Sequence, residues 1–280
     1  MEVRAPDIQP DEGELVWSKV PEFSLAYNAY SVAIPYFEYY LNNVMNSVRA
    51  ECGAANPALD EELATFVKQE VHHSRYHQRF NKRMFDAGIS ELKPLVEAIS
   101  EELKQQRASR SLAFNVAYCM GFESIATFGA QYLWEECDEL FADADRHGAN
   151  LVLWHVAEEF EHRAVCHDAY RAVSGNYFLR LYGLVYAFRR VGGAFMRAEA
   201  IVMKHHRAGM SAAERKASER RSRQLLWRQI RYLAPRMLKI FLPFYDPARI
   251  PVPPRIAAGL QRFASDAPIT WRMDPSGAAA

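Results

Sequence analysis

The chain reads as an all-α protein, a bundle of four long helices with additional C-terminal helices. Apolar residues recur at spacings of three and four through most of its length. Alternating runs bounded by tight turns, the mark of strands, are almost absent. Asn56-Pro57, Gly88, Ser109–Ser111 and Asp143–Gly148 also cut the first 175 residues into four long periodic stretches and one short one.

Residues 1–22 read as an irregular arm, with Trp17 and Val20 docked on the body. The first helix spans about Ser24 to Arg49, with Leu25, Tyr30, Ile34, Phe37, Leu41, Val44 and Val48 in register and a local break expected at Pro35. Asn56-Pro57 and Asp60 open the second, which runs from about Ala58 to Asp86. A shorter helix follows from about Leu92 to Gln106, and Ser109 or Ser111 opens the third long one, to about Leu140. The fourth is expected to continue to about Ser174, stopped by Gly175-Asn176, so that 23–174 forms the bundle.

Residues 175–245 are read as further helices packed on it. Tyr177 to His206 is one, with a bend expected at Gly192-Gly193. A second starts at Ser211 or Ala212. It is expected to carry Leu225, Leu226, Ile230, Leu233 and Leu238 on its apolar side and Arg220, Arg221, Arg223, Arg228 and Arg231 on the other. Residues 246–280 are a Pro-rich tail with a short helix near Ile256–Phe263.

At 280 residues, half of them apolar, the chain can bury a core without staples. Four scattered cysteines (Cys52, Cys119, Cys137, Cys166) form no CxxC pair, and the acidic, Pro-containing N-terminus is no signal peptide. No apolar window is long enough to span a membrane, so a cytoplasmic setting is expected. The charges balance at 34 against 34, but unevenly: residues 1–175 hold 15 Lys/Arg against 28 Asp/Glu. Either the halves pack on one another, or the basic stretch 204–239 meets an anionic surface or an acyl carrier.

Trp154-His-Val-Ala-Glu-Glu-Phe-Glu-His162 places His155, Glu159 and His162 on one helical face. Only two Glu-x-x-His pairs occur in the chain, Glu70/His73 and Glu159/His162, one on each of two long helices. Each of the other two long helices carries one isolated acid in apolar surroundings: Glu38 in Ile-Pro-Tyr-Phe-Glu-Tyr-Tyr-Leu, and Glu123 in Tyr-Cys-Met-Gly-Phe-Glu-Ser-Ile-Ala. A lone buried carboxylate costs several kcal/mol unless paired or metal-bound. The blander alternatives are a solvated Glu38, an exposed ion-pair face for the Glu-x-x-His pairs, and a His155 that supports a neighbouring glutamate. His77 is read as a supporting or surface residue rather than a ligand. Glu158 and Glu161 are expected to face away, Cys119, Met120 and Cys166 to be core or pocket lining, and Trp154 to have no role in the site.

In order along the chain, Glu38, Glu70, His73, Glu123, Glu159 and His162 resemble the ligand set of ferritin-like di-iron and di-manganese carboxylate proteins. His155, one turn before the last Glu-x-x-His, is similar to the extra imidazole of the p-aminobenzoate N-oxygenase family. The whole chain also resembles a bacterial family of predicted metal-dependent hydrolases, through Pro-x-x-Glu at 35–38 and Glu-x-x-His-x-x-x-His at 70–77. That family's C-terminal His-Pro-Trp element has no counterpart, because the Pro-rich stretch after Asp246 lacks histidine.

These resemblances imply two Fe ions (or Mn, or mixed Fe/Mn), bridged by Glu70 and Glu159, with Glu38 and Glu123 as terminal carboxylates. They imply an oxygenase or oxidase that hydroxylates or N-oxygenates a small-molecule substrate with O2 and an external reductant, in a chain that could pair as a homodimer. The alternatives are a metal-dependent hydrolase with a two-metal-activated water, and a non-catalytic metal-binding protein.

Overall fold

The computed structural model describes residues 1–264, and its regular elements are all helical among them. The long helices begin where local chemistry satisfies their first amides. Pro21 opens α1 (Pro21–Cys52). The Asn56 side chain caps α2 (Pro57–Asp86), and Ser111 caps α4 (Leu112–Glu136), which follows the shorter α3 (Leu92–Ser109). After the single turn α5 (Asp138–Phe141), Asp145 caps α6 (Arg146–Glu161). Asn176 caps α8 (Tyr177–His206), and a reciprocal Ser211–Glu214 capping box opens α9 (Ala212–Ile240).

The fourth long helix is not continuous to Ser174. It ends at Glu161, tightens into a 3₁₀ turn over His162–Ala164, and resumes as α7 (Val165–Val173). Arg163 donates its guanidinium protons to the Phe160 and Ile250 carbonyls, which compensates the disturbed ladder. Helix α1 runs through Pro35 as one element, the ladder broken there only at the Ser31 carbonyl, and α8 is continuous through Gly192-Gly193.

Helices α1, α2, α4 and α6–α7 pack against one another around a common interior. Helix α8 lies on α4 through an unusually close approach. A Cβ on Gly121 would sit 2.9 Å from the Ala187 Cβ, and one on Gly183 would sit 2.6 Å from Ala117. The N-terminal arm is irregular but anchored, with Trp17 buried and its indole donating to Asn28 Oδ1 at 2.8 Å.

Helix α9 departs in part from the sequence reading. Leu226, Ile230 and Leu238 are 51%, 41% and 68% exposed, as is Trp227 at 63%. The helix docks through Leu225 and Leu233, as expected, and through Tyr232, Met237 and Ile240, with two arginines reaching the first half of the chain: Arg221 forms a two-pronged pair with Glu22, and Arg228 pairs with Glu139. Part of the charge imbalance is therefore neutralised inside the molecule. Helix α10 (Pro254–Ala264) packs on α6, and the rest of the proposed tail, 265–280, lies outside the described residues. No helix among the described residues is long and apolar enough to cross a membrane.

Candidate metal centre

Four segments deliver the seven predicted residues into one buried cluster. Glu38 comes from α1, Glu70 and His73 from α2, Glu123 from α4, and His155 and Glu159 from α6, with His162 opening the 3₁₀ turn. All seven are buried. Two sets of ligand-capable atoms lie within 4.8 Å of one another, Glu38/His73/His155/Glu159 and Glu70/Glu159/His162, and Glu159 belongs to both.

His73 Nδ1 is 3.7 Å from both Glu70 Oε1 and Glu159 Oε1, and 4.0 Å from Glu38 Oε1. His155 Nε2 faces Glu159 Oε1 at 2.7 Å and Glu38 Oε1 at 3.5 Å. His162 Nδ1 approaches Glu70 Oε1 to 2.9 Å, with Glu123 Oε2 and Glu159 Oε1 each at 3.9 Å.

These residues fit cations better than they fit one another. Both oxygens of Glu70 and of Glu123, one each of Glu38 and Glu159, and Nδ1 of His73 and of His162 are buried without a hydrogen-bond partner. Each such orphan costs about 1–3 kcal/mol unless something else satisfies it. The 2.9 Å approach of His162 Nδ1 to Glu70 Oε1 lacks hydrogen-bond alignment, as expected of two lone pairs aimed at a shared third point. Burial, then the Glu70 charge, pushes the Glu38 carboxyl well above its ordinary range; burial, then Glu159, does the same to Glu123. Glu70 moves down despite its burial, held by His162 and His73. Without added positive charge the cluster cannot keep all its carboxylates ionised. A mixed carboxylate–imidazole set suits iron, manganese or zinc.

Neighbouring side chains decide which imidazole nitrogen faces inward. Gln69 donates from Nε2 to the Glu2 carbonyl and to Glu161, so its Oε1 is left to accept from His162 Nε2–H at 3.1 Å. In the neutral ring this turns a bare His162 Nδ1 toward Glu70. His73 Nε2 donates to Glu158 Oε2 at 2.9 Å, and Glu158 is paired in turn with Arg4 at 3.1 Å. His155 Nδ1 lies 2.5 Å from His77 Nε2. Each inward nitrogen is thus backed by a partner on its outer side, as metal-ligating histidines generally are.

Several of these supports depart from the sequence reading. Glu158, expected to face away, is fully buried and holds His73, and Glu161 pairs with Arg4 at 2.7 Å. Trp154, given no role, is buried with its ring centroid 4.9 Å from that of His73, edge to face. His77, by contrast, takes the supporting one of its two expected places, buried against His155. Cys119 and Cys166 are buried core thiols, both shifted well upward by burial and then by Glu123. Arg4 was invisible because nothing in a single sequence ties residue 4 to residue 158.

The family model described as "Predicted metal-dependent hydrolase" matches residues 2–250, and the chain belongs to that family. No curated protein and no solved structure matches it.

Proposed function

We propose that this predicted metal-dependent hydrolase family member holds two cations and uses them to activate water for hydrolysis of a small organic substrate. Glu38, Glu70, His73, Glu123, His155, Glu159 and His162 would hold the pair, inside a ferritin-like bundle formed by α1, α2, α4 and α6–α7. Glu70 and Glu159 would be the shared carboxylates, with Glu38 and Glu123 at the two ends. The observation that supports this most is the set of orphaned oxygens and nitrogens converging on Glu70 and Glu159. When bound, a metal pair supplies an acidified water and positive charge for the developing oxyanion.

The chain's own groups provide orientation and exclusion. Ser74 Oγ donates to Glu38 Oε2 at 2.6 Å, which leaves Oε1 toward the cluster. Phe66, packed edge-on against His162, and Trp154, packed against His73, keep bulk water from the imidazoles. Arg4 and Glu158 hold His73 in place from outside.

A second reading, a di-iron or Fe/Mn oxygenase using O2 and an external reductant, is favoured by one observation. His155 Nε2 faces Glu38 and Glu159, where the N-oxygenase resemblance requires a third imidazole. Elemental analysis of purified protein, followed by anaerobic reduction and O2 exposure, separates the two. About two metals per chain, falling below one in Glu70→Ala/Glu159→Ala, is expected under both. Zinc or manganese with metal-dependent hydrolysis and no O2 uptake supports the first. Iron with stoichiometric O2 uptake supports the second, and an unaltered metal content in the double variant overturns both.

A further inference from the structure

Pro35 sits in the middle of α1 and has no N–H, so the Ser31 carbonyl, four residues earlier, lacks its helical donor. Asn81 of α2 supplies one: its Nδ2 donates to Ser31 O at 2.7 Å. That bond sets the direction of the amide, because the flipped form would turn oxygen against oxygen. Asn81 Oδ1 therefore accepts the Ser31 hydroxyl proton, at 2.6 Å. With that proton committed, Ser31 Oγ can only accept from His77 Nδ1, 2.7 Å away. His77 then carries its proton on Nδ1 and presents a bare Nε2 to His155 Nδ1 at 2.5 Å, so His155 must donate there. In the neutral ring the last nitrogen, His155 Nε2, is then bare and faces the cluster, 2.7 Å from Glu159 Oε1 and 3.5 Å from Glu38 Oε1; a cation between them, or without one a proton shared with Glu159, keeps the lone pairs apart.

We propose that Pro35, Asn81, Ser31 and His77 form a directional hydrogen-bond relay that locks His155 as the Nδ1–H tautomer and presents its Nε2 to a metal ion. The proposal deepens the metal-centre reading and rests on it for the ligand. The relay itself is a property of the chain. Ser31, His77 and Asn81 are positioning residues: they act through His155. Every donor in the relay has one acceptor, and reversing any member sets two lone pairs face to face at or below 2.7 Å.

The test is long-range ¹⁵N–¹H spectroscopy of ¹⁵N-histidine-labelled, metal-free protein, which distinguishes protonated from bare ring nitrogens, paired with metal titration of the same samples. Wild type is expected to show a proton on His155 Nδ1, with Nε2 bare or sharing a proton with Glu159. Ser31→Ala should leave His77 and His155 in tautomer mixtures and weaken metal binding at the His155 position about 10- to 100-fold. Ser31→Thr, which keeps the hydroxyl, should restore both. A bare His155 Nδ1 in wild type, or an Nδ1 proton unaffected by Ser31→Ala, overturns the relay. An Nδ1–H signal that behaves as expected in a protein that binds no metal supports the relay and overturns the metal-centre reading alone.

Discussion

His73 and His155 face each other with ring centroids 4.3 Å apart, yet their outer nitrogens are held by opposite kinds of chemistry. His73 leans on a charge: Glu158, itself balanced by Arg4 reaching in from the N-terminal arm. His155 leans on neutral groups, the chain through His77, Ser31 and Asn81. Burial works against the charged form of both rings. On His73 the bond to Glu158 and the nearby Glu70 charge overcome it and push proton affinity well up, whereas on His155 burial and the neighbouring His73 bring it down. A carboxylate behind an imidazole makes it the more basic donor. The two positions are therefore chemically unequal, one held by charge and the other by hydrogen-bond direction.

Removing the charge should have the largest effect. Glu158→Leu strips His73 of its acceptor and costs Arg4 a buried partner, although Arg4 keeps Glu161. Such changes destabilise by about 3–5 kcal/mol, and the retained Glu161 places this one at about 3. On the neutral flank, His77→Leu leaves the His155 Nδ1–H without an acceptor and the Ser31 oxygen without its incoming donor, although Ser31 keeps its bond to Asn81, a cost of about 1–3 kcal/mol. Urea unfolding of metal-free protein measures both. Equal losses would mean that the charge of Glu158 does not distinguish the flanks.

That contrast was only partly legible in the sequence. Glu38 and Glu123 stood out as isolated acids in apolar helices, and the Glu-x-x-His pairs share a helical face by spacing alone. The structure brings all of them together. Glu158 did not stand out, because a helical wheel centred on Glu159 turns it aside, whereas its partners Arg4 and His73 arrive from elements 154 and 85 residues away. The helix break at His162 has no Pro or Gly to announce it. The apolar side of α9 is only partly the docked one: Leu225 and Leu233 pack on the core, while Leu226, Ile230 and Leu238 stay exposed and Arg221 and Arg228 pair with Glu22 and Glu139. One signal was available and missed. Asn81 lies one turn beyond His77, and Ser31 lies four residues before Pro35, so both ends of the relay follow from helical spacing once the proline's missing donor is considered.

Acid should separate the flanks in the metal-free protein. His77 is pushed well below its ordinary value near 6.5, by burial and then by His155 and His73. His155 shifts the same way. The unfolded chain therefore takes up more protons than the folded one below about pH 6.5, and the stability gained by keeping these rings neutral is lost as pH falls through that region. His73 runs the other way: its contribution is complete below about 6.5 and is lost only as pH rises through its raised folded value. Glu158 is shifted down despite its burial, by His73 and then Arg4, so its share persists until pH falls below the ordinary carboxylate value near 4.5. The stability advantage of wild type over His77→Gln should thus shrink between pH 7 and 5, while the advantage over Glu158→Gln holds through that range. Urea midpoints at pH 7, 6 and 5 measure this, and parallel behaviour of the two variants would remove the distinction.

Pro35→Ala gives the smallest and most discriminating effect. Alanine restores an N–H that can bond the Ser31 carbonyl within α1, and proline costs an isolated helix interior about 3 kcal/mol relative to alanine. On helix propensity alone the variant should be clearly more stable. The restored N–H, however, competes with Asn81 Nδ2 for the carbonyl that holds its amide in direction. Asn81 is buried, and releasing that amide offsets part of the gain. The expected outcome is a metal-free protein within about 1 kcal/mol of wild type in urea, with weaker metal binding. A variant that gains the full helix propensity and binds metal as wild type does would show that the Ser31 carbonyl has no part in orienting His155. The neutral flank would then be held by His77 alone.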